Sequence, residues 1–575
     1  MTRKPSISIP NEISGEVPCS ARPWLRSYPA GIDWDAEFTP SLVGTLLDQA
    51  VQAYGARACT YFMGKRLSFT EIGALSDRAA KGLRALGVGP GVKVGLLLPN
   101  TPTFVIFYYG VLKAGGTVVN FNPLYSLDEI EFQIRDSGTK IMVTLDLALT
   151  FEKVEAMLRS GALEKAVVAA FPSLLPPLKS VGFKLLQRTK LADAGASPAK
   201  DKIVSEQALL ANDGRYDPPA IGADAVAVLQ YTGGTTGTPK GAMLTHANLT
   251  VNVGQVRAWQ NRRTTGEDRI VGILPLFHVF AMTTVMNLGI SSGMEMILLP
   301  KFELIQTLKL IGKLRPTMMP GVPTLFNAML RHPHIGNFDL SSLEYCISGG
   351  AALPIEVKRG FEAICGCGLV EGYGLSETSP VACCNPIDSI KEGSIGLPLP
   401  ATEISIRSLE DPTREMPCGE PGEICIAGPQ VMPGYWKKPE ETEASFVERY
   451  FRSGDVGYMD EEGYIFIVDR LKDMINASGF KVYPRRVEDA LYEHGAVAEV
   501  TVVGIPDQYR GEAPKAFVKL KEGEQATAAE LLQFLRGKLS KIELPAEIEF
   551  REELPKTMVG KLSKKELRAE EKAKG

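Results

Sequence analysis

Over its first two hundred residues the chain alternates two hydrophobic periods, and this alternation restricts the fold more than any other feature. Thr39-Pro40 opens a run with apolar positions at Leu42, Leu46, Leu47, Ala50 and Ala53, and Gly55 closes it, the pattern of a capped helix. Ser68-Phe-Thr-Glu71 is a capping-box sequence, followed by the stripe Ile72, Leu75, Ala79, Leu83 and Leu86 and a stop at Gly87. Residues 92–98 then read as a buried strand, 103–113 as a helix and 117–120 as a strand. Strands separated by helices imply a parallel sheet covered on both faces. With 575 residues the chain is too long for one core. The predicted class is α/β, with a large N-terminal domain of covered mixed or parallel sheets and helices.

The pattern changes near Asp469-Arg-Leu-Lys-Asp473. A strand at 464–468 precedes it. Short strands (500–504, 515–520) and helices (486–492, 528–539) follow. This predicts a small α+β C-terminal domain at 470–575 beside an N-terminal domain at 1–469.

The sharpest local signal is Tyr231-Thr-Gly-Gly-Thr-Thr-Gly-Thr-Pro-Lys-Gly241, placed after an apolar strand at 225–230. Gly233, Gly234 and Gly237 let backbone amides approach an anion without a Cβ in the way. Thr235, Thr236 and Thr238 add hydroxyl donors, and Lys240 adds a positive charge. The run is not a Walker A loop, because Thr238-Pro239 stands where Gly-Lys would be.

That segment resembles the phosphate loop of the adenylate-forming superfamily, which includes acyl-CoA synthetases, amino-acid adenylation domains and luciferases. The resemblance extends over nearly the whole chain from about residue 40, because further motifs recur in order. It implies an ATP site formed by Thr232, Gly233, Gly234, Thr235, Thr236, Gly237 and Lys240. In Glu371-Gly-Tyr-Gly-Leu-Ser-Glu-Thr378, Glu377 is a hard oxygen ligand suited to Mg²⁺, and Tyr373 can stack on adenine beside Gly374 and Ser376. Ser348-Gly-Gly-Ala-Ala-Leu-Pro354 resembles the segment that borders adenine, which implicates Gly350 and Ala351. Phe451-Arg-Ser-Gly-Asp455 resembles the ribose-binding segment: Asp455 would accept both vicinal hydroxyls, with Arg470 in reach of ribose or phosphate.

Pro555-Lys-Thr-Met-Val-Gly-Lys561 matches the superfamily's catalytic-lysine motif. Carboxylate attack on an α-phosphate brings two anions together, and a positioned ammonium stabilises the charge that develops. The implied catalytic set is Lys561, Glu377, Lys240 and Thr235. In this superfamily the small domain rotates between half-reactions. The hinge maps to Lys472, and Ser478 and Gly479 border the coenzyme A path.

Leu274-Pro-Leu-Phe-His-Val-Phe280 bears on the acid. It holds no acidic residue to pair with an amino-acid ammonium, so Phe277, His278 and Val322 read as the lining of an acyl pocket. The motifs most resemble those of long- and medium-chain fatty acyl-CoA synthetases. The implied activity is formation of acyl-AMP from ATP and a fatty acid, then a thioester with coenzyme A. An aryl-CoA ligase, an acyl-AMP ligase loading a separate carrier, and a non-catalytic nucleotide-binding regulator are the alternatives.

Other readings limit partners. A formal net charge of −4 gives no general affinity for polyanions, so nucleic acid is not expected. The N-terminus has no apolar signal segment, the apolar window 94–121 is broken by Pro99, Asn100, Pro102 and Lys113, and the C-terminus carries no address. Nine cysteines without framework spacing read as reduced thiols in a cytoplasmic protein, with no metal set. In 171–202, a proline-rich start is followed by Lys179, Lys184, Arg188 and Lys190 among apolar residues. That segment is either a basic amphipathic helix touching the inner face of a membrane or a solvated excursion. Both stand at this point, and a homodimer is left open.

Overall fold

The computed structural model describes residues 22–232, 239–261, 267–478, 480–507, 510–557 and 560–574. The α/β reading holds. One seven-stranded sheet runs in the order Ile203–Ser205, Lys165–Ala169, Thr139–Leu145, Lys93–Leu97, Thr117–Asn120, Val226–Thr232, Lys240–Thr245, and only the last strand is antiparallel. A nine-stranded sheet has a parallel centre of Ala58–Phe62, Glu295–Leu298, Arg269–Gly272, Met318–Gly321, Tyr345–Gly349 and Gly368–Gly374, flanked by antiparallel strands. The helix Pro102–Lys113 is apolar on nearly every side and lies in a core that draws residues from both sheets.

Local signals set several boundaries. Ser68 and Glu71 form the expected reciprocal capping box at the start of Phe69–Ala85. The first long helix departs from expectation: it begins at Val43, not at Thr39-Pro40. Its buried Val43 amide, which has no partner within the helix, donates to His246 Nδ1 at 3.0 Å, so a residue distant in sequence does the work assigned to a local cap. Burial holds the His246 imidazole neutral by lowering it to about 4, which suits that acceptor role.

A third sheet, antiparallel and five-stranded, combines Glu403–Arg407, Gly422–Ala427, Phe446–Val447, Tyr450–Met459 and Ile465–Arg470. The last of these strands runs through Arg470, one residue past the expected boundary. From Ile475 onward the chain has a sheet of its own, with Pro484–Tyr492, Ala528–Arg536 and Lys564–Lys574 as helices. Its buried residues, among them Val500, Val502, Phe517, Leu531 and Leu535, cluster apart from those of the larger body. Polar contacts join the two: Thr324 Oγ1 donates to the Gly560 carbonyl at 2.7 Å, and the Arg485 amide donates to Asp469 Oδ2 at 2.8 Å.

The excursion after Lys165–Ala169 contains the helix Pro177–Leu186. Among the described residues no helix is long and apolar enough to cross a membrane.

Candidate active site

The carboxyl ends of parallel strands from both large sheets open onto one cleft of about 1070 Å³. The seven-stranded sheet delivers Thr232 and, across the antiparallel register, Lys240. The loop between them, Gly233–Thr238, lies outside the described residues, and with it the expected roles of Gly233, Gly234, Thr235, Thr236 and Gly237. The nine-stranded sheet delivers Val322, Gly350, Tyr373 and Gly374, each at or just past a strand end. Ser376 and Glu377 follow in a short 3₁₀ turn.

The third sheet contributes a pair. Asp455 and Arg470 face each other in antiparallel register, and Arg470 Nε lies 3.1 Å from Asp455 Oδ1. Tyr373 Oη donates to the other carboxylate oxygen at 2.7 Å. The neighbouring Asp455 charge holds the Arg470 guanidinium above its ordinary range. Asp455 is therefore fixed on both oxygens, with its backbone amide held by Ser453 Oγ at 3.0 Å.

Lys561 of the small domain enters the same cleft. It packs against Gly350, whose φ of +80° and missing side chain make the approach feasible. A Cβ there would sit 2.6 Å from Lys561 Cε and 3.0 Å from Nζ. Burial lowers the Lys561 ammonium to about 8; Arg470 adds to the shift and Asp455 opposes it.

On the apolar side the wall includes Phe277, Val279, Phe280, Val322 and Ile347. His278 stands among them. Its Nδ1 accepts the Phe280 amide at 3.3 Å, and burial, with Lys561 nearby, drives its protonation down to about 3. The ring is thus neutral with its proton on Nε2, a donor without charge.

The Glu377 carboxylate is buried, and burial raises its pKa. Tyr435 Oη donates to its Oε1 at 2.8 Å. Among the described residues no three His, Cys, Asp or Glu side chains gather as a metal cage. One carboxylate beside a wide cleft does fit a Mg²⁺ ion that takes its remaining ligands from phosphate and water.

Among the described residues, Ala351 and Ser478 are the expected ones not brought to the cleft. Ala351 lies just outside the lining, Ser478 is exposed at a hairpin with φ +54°, and Gly479 is outside the described residues. Lys472 does line the cleft.

Two family models match the chain. The model described as AMP-binding enzyme matches residues 47–436, and that of the AMP-binding enzyme C-terminal domain matches 486–561. The chain belongs to the AMP-binding enzyme family. This AMP-binding enzyme is 44% identical over 558 residues to a long-chain-fatty-acid--CoA ligase of Bacillus subtilis (strain 168), covering 96% of this chain and 98% of the relative. It is 38% identical over 569 residues to a protein of the same name from Escherichia coli O6:H1, with the same coverages. Among solved structures, ATP-bound MatB from Rhodopseudomonas palustris superposes with a TM-score of 0.78 at 28% identity, covering 92% of this chain and 98% of that one.

Two side chains of the AMP-binding enzyme carried no role in the sequence reading. Tyr435 touches Glu377, and its ring lies under the Lys240 ammonium at 5.3 Å, so it connects the two. No spacing or periodicity marks it. Glu371 opens a motif that was read for its later residues. It is buried, accepts the Leu353 amide at 3.3 Å and faces Arg485 and Asp489 of the small domain, and burial lifts its pKa to about 7.

Proposed function

We propose that this enzyme converts a medium- to long-chain fatty acid to acyl-AMP at the expense of ATP and then transfers the acyl group to coenzyme A. In the first step a carboxylate oxygen bonds to the α-phosphorus, the bond from that phosphorus to the bridging oxygen breaks, and pyrophosphate leaves. In the second the coenzyme A thiolate bonds to the acyl carbon, the bond to the adenylate oxygen breaks, and AMP leaves.

The observation that carries the reading is the arrival of Lys561, from the small domain, in the cleft that holds Asp455, Arg470, Tyr373 and Glu377. Lys561 would stabilise charge on the phosphoryl oxygens as pyrophosphate departs. Asp455 would take the ribose hydroxyls, Tyr373 with Gly350, Gly374 and Ser376 the adenine, and Thr232 with Lys240 the phosphates. Glu377 would hold Mg²⁺, which when bound neutralises phosphate charge. Phe277, His278 and Val322 would border the acyl group: apolar side chains and a neutral imidazole suit a plain acid and give an amino-acid ammonium no partner.

Residues 470–575 would act as the mobile domain, turning near Lys472 so that Ser478 and Gly479 replace Lys561 for thioester formation. The Ser478 turn is exposed and lies away from the cleft, which agrees with such a turn being needed. Free, buried thiols such as Cys346, Cys365 and Cys367 support a cytoplasmic setting. Segment 171–202 would meet the inner face of a membrane, where an insoluble acid resides.

A panel of acids of increasing chain length, assayed with ATP and coenzyme A for AMP and thioester, tests the reading. AMP and thioester formed in equal amounts with the longer acids are expected. AMP release without thioester, or preference for aryl acids, would overturn it.

A further inference from the structure

The helix Pro177–Leu186 presents its apolar side outward. Leu178 is 90% exposed, Leu186 82%, Leu185 75% and Val181 58%. Single exposed leucines are ordinary, but four on one short helix are not. At about 100° per residue they share an arc of about 140° with Gly182. Lys179 lies at one edge of that arc and Lys184 at the other. Phe183, on the opposite side, turns into the protein and packs on Phe171 with ring centroids 4.9 Å apart.

The helix is fixed in place. Lys179 Nζ donates to the Met63 carbonyl at 2.9 Å, Lys65 Nζ donates to the Ser173 carbonyl at 2.8 Å, and Leu191 bridges to Leu147. Met63, also exposed, extends the apolar ground beside it. Lys184, Arg188 and Lys190 are exposed, and residues 178–190 hold no acid. Asp146, whose field reaches Lys184, accepts the Phe171 amide at 2.7 Å and is directed inward.

We propose that this face inserts its four aliphatic side chains into an anionic bilayer surface, with Lys184, Arg188 and Lys190 on the lipid headgroups. Apolar side chains flanked by cations are what the interface of acyl chains and headgroups accepts. A second copy of the chain fits less well: a ten-residue helix buries little of the roughly 800 Å² per partner a stable dimer needs, and a two-fold contact would set like charges together. The inference deepens the proposed membrane encounter. It rests on the fatty-acid reading only for the reason to be there, since the surface argument needs no substrate.

Flotation of the full chain with vesicles tests it. With phosphatidylcholine vesicles containing about 30% phosphatidylglycerol the protein should float, and with pure phosphatidylcholine it should float weakly. Leu185→Ser/Leu186→Ser should weaken flotation at least about tenfold. Lys184→Glu/Arg188→Glu should abolish the preference for phosphatidylglycerol. Both variants should keep the wild-type melting temperature and turnover of the shortest soluble acid the enzyme accepts. Absent flotation of the wild type, equal flotation of the serine pair, or a serine pair that only splits a dimer would each overturn the proposal. Loss of acid turnover in the wild type would instead count against the fatty-acid reading and leave flotation unaffected.

Discussion

Replacing Lys561 with alanine removes the small-domain ammonium that enters the cleft against Gly350. Loss of one preorganised transition-state donor costs about 10²–10³ in rate, so acid-dependent exchange of pyrophosphate into ATP should fall by about that factor. Thioester formation from supplied acyl-AMP should stay within about twofold, because on the proposed account the lysine takes no part in that step. The charge also has a pH signature. The ammonium is lowered to about 8, so its charge is present below that pH and is lost as pH rises through it. Roughly nine-tenths of the lysine is protonated at pH 7 and roughly one-tenth at pH 9. The kcat/KM for ATP in the exchange assay, which reports the free enzyme, should therefore drop about ninefold over that interval. Lys561→Arg, charged throughout, should lose that drop at whatever activity it retains. Equal loss in both half-reactions for Lys561→Ala, or an unchanged pH profile for Lys561→Arg, would refute the reasoning.

The other expectations concern neighbouring groups. Gly350→Ala puts a Cβ 2.6 Å from Lys561 Cε at a φ of +80°, so pyrophosphate exchange should fall at least about tenfold while thioester formation from acyl-AMP persists; equal effects would contradict the contact. Tyr435→Phe removes the hydroxyl that orients Glu377, so the Mg²⁺ concentration for half-maximal exchange should shift severalfold, and an unaltered Mg²⁺ titration would deny the tyrosine that role. Glu371 has a carboxyl raised from 4.5 to about 7, so the wild type loses stability as pH rises from 4.5 to 7 while the unfolded chain ionises first. Glu371→Gln is free of that loss, so its melting temperature should gain on the wild type between pH 5 and 7.5, by the equivalent of on the order of 2 kcal/mol; a pH-independent difference would contradict the assignment.

Legibility in the sequence followed whether a signal was local. Ser68 and Glu71 satisfy each other within one turn, and Thr117–Asn120 is a strand bounded by its own composition, so both were found where expected. The start of the helix at Val43 was not, because its cap is His246, two hundred residues away. Of the antiparallel sheet of residues 403–470 only the last strand was expected, because the others lie among Gly, Pro and charged turns and find their partners only across the sheet. Asp455 and Arg470 were each assigned from a separate motif. Their direct opposition, which fixes the carboxylate, is a property of register. Tyr435 carries no local signature, since its importance lies in touching Glu377 and Lys240 at once.

The central claim is that an oxygen of the acid bonds to the α-phosphorus in this cleft. Turnover of a fatty acid carrying ¹⁸O in both carboxylate positions tests it most directly, by mass spectrometry of the nucleotide and pyrophosphate. One ¹⁸O in AMP and none in pyrophosphate is the expected result. Label in pyrophosphate or orthophosphate, or unlabelled AMP beside thioester, would contradict it.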